Sequence, residues 1–162
     1  MDLTNPRMVA LLRTDVVHRF VEVVVRQLRA TVGVDAVVAA IGEAPEEAPT
    51  IAVAVDFCGD VRGPVTWVFP QPVALELVRR LLADPDPDPG TAADGATELA
   101  NILTGRATAA LEDHGFQCAI GVPRLHVGAL PGGITVRMQT ADGPIDPVLS
   151  MSTSAGGQPT PG

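Results

Sequence analysis

Tyrosine is absent from this 162-residue sequence, and the other aromatic side chains amount to four phenylalanines and one tryptophan. Its core is therefore expected to be aliphatic, drawn from Val, Ala and Leu, with Phe20, Phe57, Trp67, Phe69 and Phe116 as the bulky members. Cysteine is scarce too. Cys58 and Cys118 each lie in a strand-like apolar stretch, which excludes a disulfide-dense secreted scaffold and reads as two buried free thiols. Basic residues number 11 against 19 acidic ones, for a formal net charge of -8, and they are scattered. That argues against a nucleic-acid backbone as partner, because such binding needs clustered cations against the phosphates. No apolar run reaches the roughly 18 residues that span a bilayer. The first twenty residues carry Asp2 and Asp15 and no basic region ahead of a continuous apolar run. Neither a signal peptide nor a membrane segment is expected, and the protein reads as cytoplasmic.

Metal and nucleotide chemistry are also poorly supplied. His18, His114 and His126 are dispersed, and neither cysteine has a ligand at the spacing a zinc site needs, so no metal site is expected. No glycine-rich run closes on Lys and Ser or Thr, as a phosphate-cradling loop requires.

The length suits one domain with one core, placed at residues 1–152, and the tail 153–162 has nothing apolar worth burying and is predicted to be disordered. Leu12, Val16, Val17, Phe20, Val24 and Leu28 recur at three- and four-residue intervals, predicting a first helix from about Val9 to Ala30. Residues 34–41 read as a strand. Strand-like runs 50–57 and 61–69 are separated only by Cys58-Gly59-Asp60, short enough for a hairpin. Pro70 and Pro72 flank the start of a second helix over 73–82. The prolines of 84–93 predict an exposed acidic loop. A third helix follows from Asp94 to about His114, ended by Gly115. Strands at 116–123, 125–130, 134–140 and 147–152 complete an α/β (α+β) domain, a mostly antiparallel sheet packed against three helices.

The third helix is the most informative segment. At about 100° per residue, Asp94, Glu98, Asn101 and Gly105 fall within an arc of roughly 60°, while Ala96, Leu99, Leu103, Ala107, Ala110 and Leu111 occupy the far side. Glu98 and Asn101, three apart, are neighbours on the presented face. They offer a docking group an anionic acceptor and an amide that both donates and accepts. Gly105 joins the stripe although glycine costs about 1 kcal/mol relative to alanine inside a helix. A bare spot for a closely approaching surface accounts for that cost. The bland alternative makes Glu98 and Asn101 ordinary solvated residues, Gly105 room for an internal backbone contact, and Asp94 the N-cap of the helix.

The pattern Asp94-x3-Glu98-x2-Asn101-x3-Gly105 resembles the signature of the CheC, CheX and FliY phosphatase group, in which an Asp or Ser precedes a Glu and Asn pair on a surface helix. The run DFCGDVRGPVTWVFPQPVALELVRRLL is similar to that group's strand, Gly-rich turn and strand leading into a helix, and GVPRLHVG to the strand after the motif helix. With one copy of the motif, the chain resembles the single-site CheX type, with its CheX-like fold. The resemblance implies an aspartyl-phosphate phosphatase whose substrate is a phosphorylated CheY-like receiver domain, in chemotaxis or two-component signalling. Catalytic roles pass to Glu98 and Asn101, while Asp94 and Gly105 belong to the binding surface. The implied protein needs no cofactor of its own, because Mg2+ is held by the partner receiver, and it pairs as a homodimer through its sheet. The alternative is a non-catalytic interaction module that docks on a receiver or motor component; the intact Glu98 and Asn101 pair speaks against it.

Overall fold

Val16, Val17, Phe20, Val24 and Leu28 do share one face. In the computed structural model, which describes residues 14–42, 50–83 and 86–153, they line the buried side of α1 (Thr14–Val32). The expected start at Val9 lies outside the described residues. At the other end the helix runs two residues past the expected Ala30, and the chain leaves it with the Val34 amide donating back to the Leu28 carbonyl at 3.3 Å.

Strand β1 (Ala36–Gly42) follows, then the hairpin of β2 (Thr50–Gly59) and β3 (Val61–Pro70), in antiparallel register from Thr50 opposite Pro70 to Phe57 opposite Gly63. The reversal is longer than the expected three residues: the last hairpin pair is Phe57 opposite Gly63, and the strand ends beyond it pair with β4 and β8 instead. Gly59 sits at φ +108, and a Cβ there would come within 2.4 Å of the Gln117 carbonyl, so only glycine fits. Asp60 completes the corner, its carboxylate accepting from the Gln117 amide at 2.7 Å.

Helix α2 (Gln71–Leu82) starts two residues earlier than expected, with proline in its first turn. Helix α3 (Pro89–Glu112) corrects the sequence reading more sharply. Asp86, Pro87 and Asp88 lie outside any helix, but Pro89 opens one, because its missing N–H is unpaired at that position anyway. The constraint that proline places on its predecessor holds Asp88 extended, at φ -78 and ψ 169, as an N-cap requires. Its carboxylate accepts from the Thr91 amide at 2.7 Å, and that bond is the first cause of its lowered pKa. Residues 89–93 are thus helical rather than loop, and Asp94 is an exposed residue inside α3 instead of its cap. The helix ends as expected, the chain turning through Gly115 at φ +88.

The remaining strands are β4 (Cys118–Ile120), β5 (Arg124–Leu125), β6 (Ile134–Thr140), β7 (Gly143–Leu149) and β8 (Ser152–Thr153). The first two are much shorter than the runs expected at 116–123 and 125–130. Thr153, assigned to the tail, pairs with Val61; residues 154–162 lie outside the described residues. Strand β7 begins four residues before the expected Pro147, because Gly143 and Pro144 read as part of the preceding turn. Pro147 lacks a ladder donor, and pairing between β6 and β7 lapses there. A side-chain bridge spans the gap. Arg137 donates from Nε and Nη2 to Asp146 at 3.0 and 2.9 Å, and Asp146 is 2% exposed.

All pairings are antiparallel, in the order β1-β6-β7-β3-β2-β4, with β5 also on β2 and β8 on β3. Strand β1 forms one edge of the sheet; β4 and β5 share the other. The helices cover the face that carries Val53, Val55, Phe57, Val65, Trp67 and Phe69. Trp67 is fully buried and stacks on Phe20 with ring centroids 5.6 Å apart. Among the described residues no helix is long and apolar enough to cross a membrane.

The cysteines need one correction. Cys118 is buried, and burial raises its thiol to about 11, assisted by the negative charges of Glu112 and Asp60. Cys58 is exposed, contrary to expectation. Gly59 pairs with Cys118 and Cys58 with Ala119, so alternation along the strands sends the two side chains to opposite faces and both remain free.

Candidate functional site

Helix α3 is seated by the sheet beneath it. Leu99, Ala100, Leu103, Ala107 and Leu111 are buried against the core. Two polar residues, Thr104 and Thr108, are buried in the same helix, and Thr104 is fully so. Its hydroxyl accepts from the Trp67 indole N–H at 3.0 Å and donates to the Ala100 carbonyl at 2.6 Å. This chain ties the helix turn that bears Asn101 to strand β3. A threonine inside a buried stripe was the sequence signal for it, because a buried hydroxyl needs a partner. Toward its N-terminus α3 presses directly on α2. A Cβ at Gly95 would lie 2.6 Å from both Val78 methyl carbons, so the two helices meet at the glycine backbone.

Seating one face fixes the other. Asp94 and Glu98 are exposed, and Asn101 and Gly105 half-buried, along the side turned from the core. The structure brings these four onto one stripe, as the spacing predicted. Neither Glu98 nor Asn101 makes a side-chain hydrogen bond or ion pair to the described residues. Both are therefore available to an incoming group. The stripe itself contains two carboxylates and no cation. A bare phosphate would be repelled by it, whereas a phosphoryl group whose charge is already neutralised by its carrier would not.

Gly105 has no internal excuse. A Cβ there would meet only the Ile120 Cδ1, at an ordinary 3.8 Å, so the internal-contact explanation for this glycine fails. Gly105→Ala is accordingly expected to raise stability by roughly 0.5–1 kcal/mol through helix propensity, a shift of a few degrees in thermal melting. A lowered melting temperature would show that the backbone there is needed by the fold.

Among the described residues, no three His, Cys, Asp or Glu side chains lie close enough together to hold a metal ion. What the site can do is dock and orient: an anion for a cation on the partner, and an amide for a polar reactant.

The sequence matches the family model described as chemotaxis phosphatase CheX over residues 51–140. Comparison with curated proteins finds no match. Solved structures resemble the fold closely at low identity. The chemotaxis protein CheX of Desulfovibrio desulfuricans is 18% identical, with TM-score 0.71 over 86% of this chain and 99% of that one. CheX of Vibrio vulnificus is 17% identical, with TM-score 0.72 over 86% and 100%. The CheX-CheY-BeF3-Mg complex of Borrelia burgdorferi gives 21% identity and TM-score 0.68, over 86% and 99%. The family match takes in the hairpin, α2 and the whole Asp94-to-Gly105 stripe, more than half of the sequence, and on that ground the chain belongs to the chemotaxis phosphatase CheX family.

Proposed function

We propose that this protein hydrolyses the aspartyl phosphate of a CheY-like receiver domain in the cytoplasm, in chemotaxis or another two-component pathway, with Asn101 orienting water and Glu98 fixing the dock. The observation that carries this reading is the Glu98 and Asn101 pair, standing without side-chain partners among the described residues on an exposed face of a helix whose other face is locked to the sheet. Family membership and the Borrelia burgdorferi relative, whose structure is a complex with CheY and magnesium, supply the partner class. The absence of a cation on the stripe agrees with it: the receiver brings both the phosphoryl group and the Mg2+ and lysine that neutralise it.

In the proposed step the Asn101 amide oxygen accepts from a water and holds it in line with the scissile bond. The water oxygen bonds to phosphorus as the phosphorus–oxygen bond to the aspartate breaks. Both protons of the water leave on the orthophosphate, as H2PO4−, and the receiver carboxylate is restored. The barrier falls through positioning and charge stabilisation, without a covalent intermediate on this chain. Glu98 pairs with the receiver's lysine, and Asp94 and Gly105 extend the docking surface.

The test is phosphate loss from Mg2+-bound, phosphorylated receiver domains. Acceleration by the native protein supports the reading, and binding without acceleration replaces it with a non-catalytic interaction module. Glu98→Ala is expected to weaken both binding and turnover, by about tenfold for a charge-assisted contact worth roughly 1.5 kcal/mol. Unchanged affinity in that variant would remove Glu98 from the dock.

A homodimer is part of the same proposal. Strand β1 is an edge strand of wholly uncharged sequence, with Val37, Val38 and Ile41 exposed, and such an edge invites a second strand. Sedimentation is expected to give twice the chain mass; a strictly monomeric species at high concentration would refute it.

A further inference from the structure

We propose that Val122, Leu125 and Val127 form an apolar rim that continues the Glu98 and Asn101 stripe into one docking surface for the folded receiver-type partner of that site. The inference rests on the function proposed above. These three residues are 85%, 51% and 91% exposed, an unusual concentration of large apolar side chains within six positions of one segment. Isolated exposed aliphatics need no explanation, but a cluster beside a candidate site does.

The segment is held in place. The Gly121 amide donates to the Asp56 carbonyl at 2.9 Å and the His126 amide to the Ala52 carbonyl at 2.8 Å, while Leu125 stands opposite Val53 on β2. Arg124 reaches Asp56 from Nη1 at 2.7 Å and from Nη2 at 3.3 Å, so the rim's own cation is neutralised. A segment anchored in this way holds its apolar side chains out before any partner arrives, which spares the ordering cost of association.

Position and charge name the occupant. Ile120, at the head of the segment, adjoins Gly105, the bare end of the stripe, and α3 packs against β2, β4 and β5. The rim and the stripe are therefore contiguous. Together they join aliphatic surface to two exposed carboxylates, a combination that suits a protein face with an apolar patch beside a cationic pocket, and not a free phosphate compound. The rim also lies at the sheet edge opposite β1, so self-association through β1 would leave it open.

The experiment measures the affinity of a Mg2+-bound, phosphorylated receiver domain for the native protein and for Val122→Ser/Leu125→Ser/Val127→Ser, with turnover at saturating receiver. The expected result is a Kd at least tenfold higher and saturated turnover within twofold of native. Val127→Glu, at the most exposed position, repeats the test without touching Leu125. An unchanged Kd in both variants overturns the rim while leaving the Asn101 chemistry standing. Native binding without turnover refutes the phosphatase reading alone, because the Kd comparison still stands. If instead the variants lose self-association in sedimentation and keep their affinity, the rim belongs to a second copy of this chain and the proposal fails. A native protein that binds no receiver overturns both readings together.

Discussion

Asn101→Ala is expected to lower the rate of receiver dephosphorylation at saturation by at least roughly a hundredfold, with binding changed by less than about threefold. The size follows from what the amide is proposed to do. A water held in line by one positioned acceptor reacts from a favourable geometry, and losing that geometry costs on the order of two powers of ten even when the rest of the site is intact. The small effect on binding follows from the surroundings: Asn101 is half-buried at the margin of the stripe, while the charge lies on Glu98 and Asp94. The variant should fold normally, because the side chain has no described internal partner and alanine is the better helix former. Single-turnover decay of the phosphorylated receiver separates the two quantities. Equal losses of affinity and rate would make Asn101 a docking residue and remove it from the chemistry.

Trp67→Ala is expected to cost roughly 3–5 kcal/mol of stability, a large part of the 5–15 kcal/mol that holds a domain of this kind together. Trp67 is fully buried in the strand on which the helices rest, stacked on Phe20 of α1 and bonded to Thr104 of α3, so its removal opens a cavity among three elements at once. Trp67→Phe isolates the indole N–H. It keeps most of the ring and deprives only the Thr104 hydroxyl of its donor, and it should cost about 1–2 kcal/mol. Denaturant unfolding followed by circular dichroism measures both. A Trp67→Ala loss below 2 kcal/mol would mean that the neighbouring side chains collapse into the space, and that the tie to α3 contributes little.

The sequence made the helices and the motif stripe legible because helical spacing is a local property. Glu98, Asn101 and Gly105 needed only 3.6 residues per turn to be placed together. What it hid depended on position within an element or on distant partners. Pro89 looked like a breaker because its missing amide is harmless only in a first turn, and the same letters that ended the loop began the helix. Strand β7 was half hidden because Gly143 and Pro144 are turn residues by habit and Asp146 is a poor strand former; Arg137, nine positions from Asp146, supplies the bridge that lets that carboxylate sit inside the sheet. Cys58 was misplaced for a related reason: an apolar run says that a strand is half-buried but not which parity faces inward. The support for the site was the least visible part. The Trp67 to Thr104 bond spans 37 positions, and a threonine in a buried stripe says only that a partner is needed, not which one.

That bond gives the molecule an optical property. With no tyrosine and one tryptophan in the chain, all indole emission comes from a ring packed in the dry interior and hydrogen-bonded to the helix that carries the site. Any event that lifts or tilts α3, whether a partner arriving or a substitution loosening the helix, must alter the polarity and hydrogen bonding around that ring. The protein therefore carries its own fluorescent gauge of how firmly its working helix is seated, readable without labels and undiluted by any second emitter of its own.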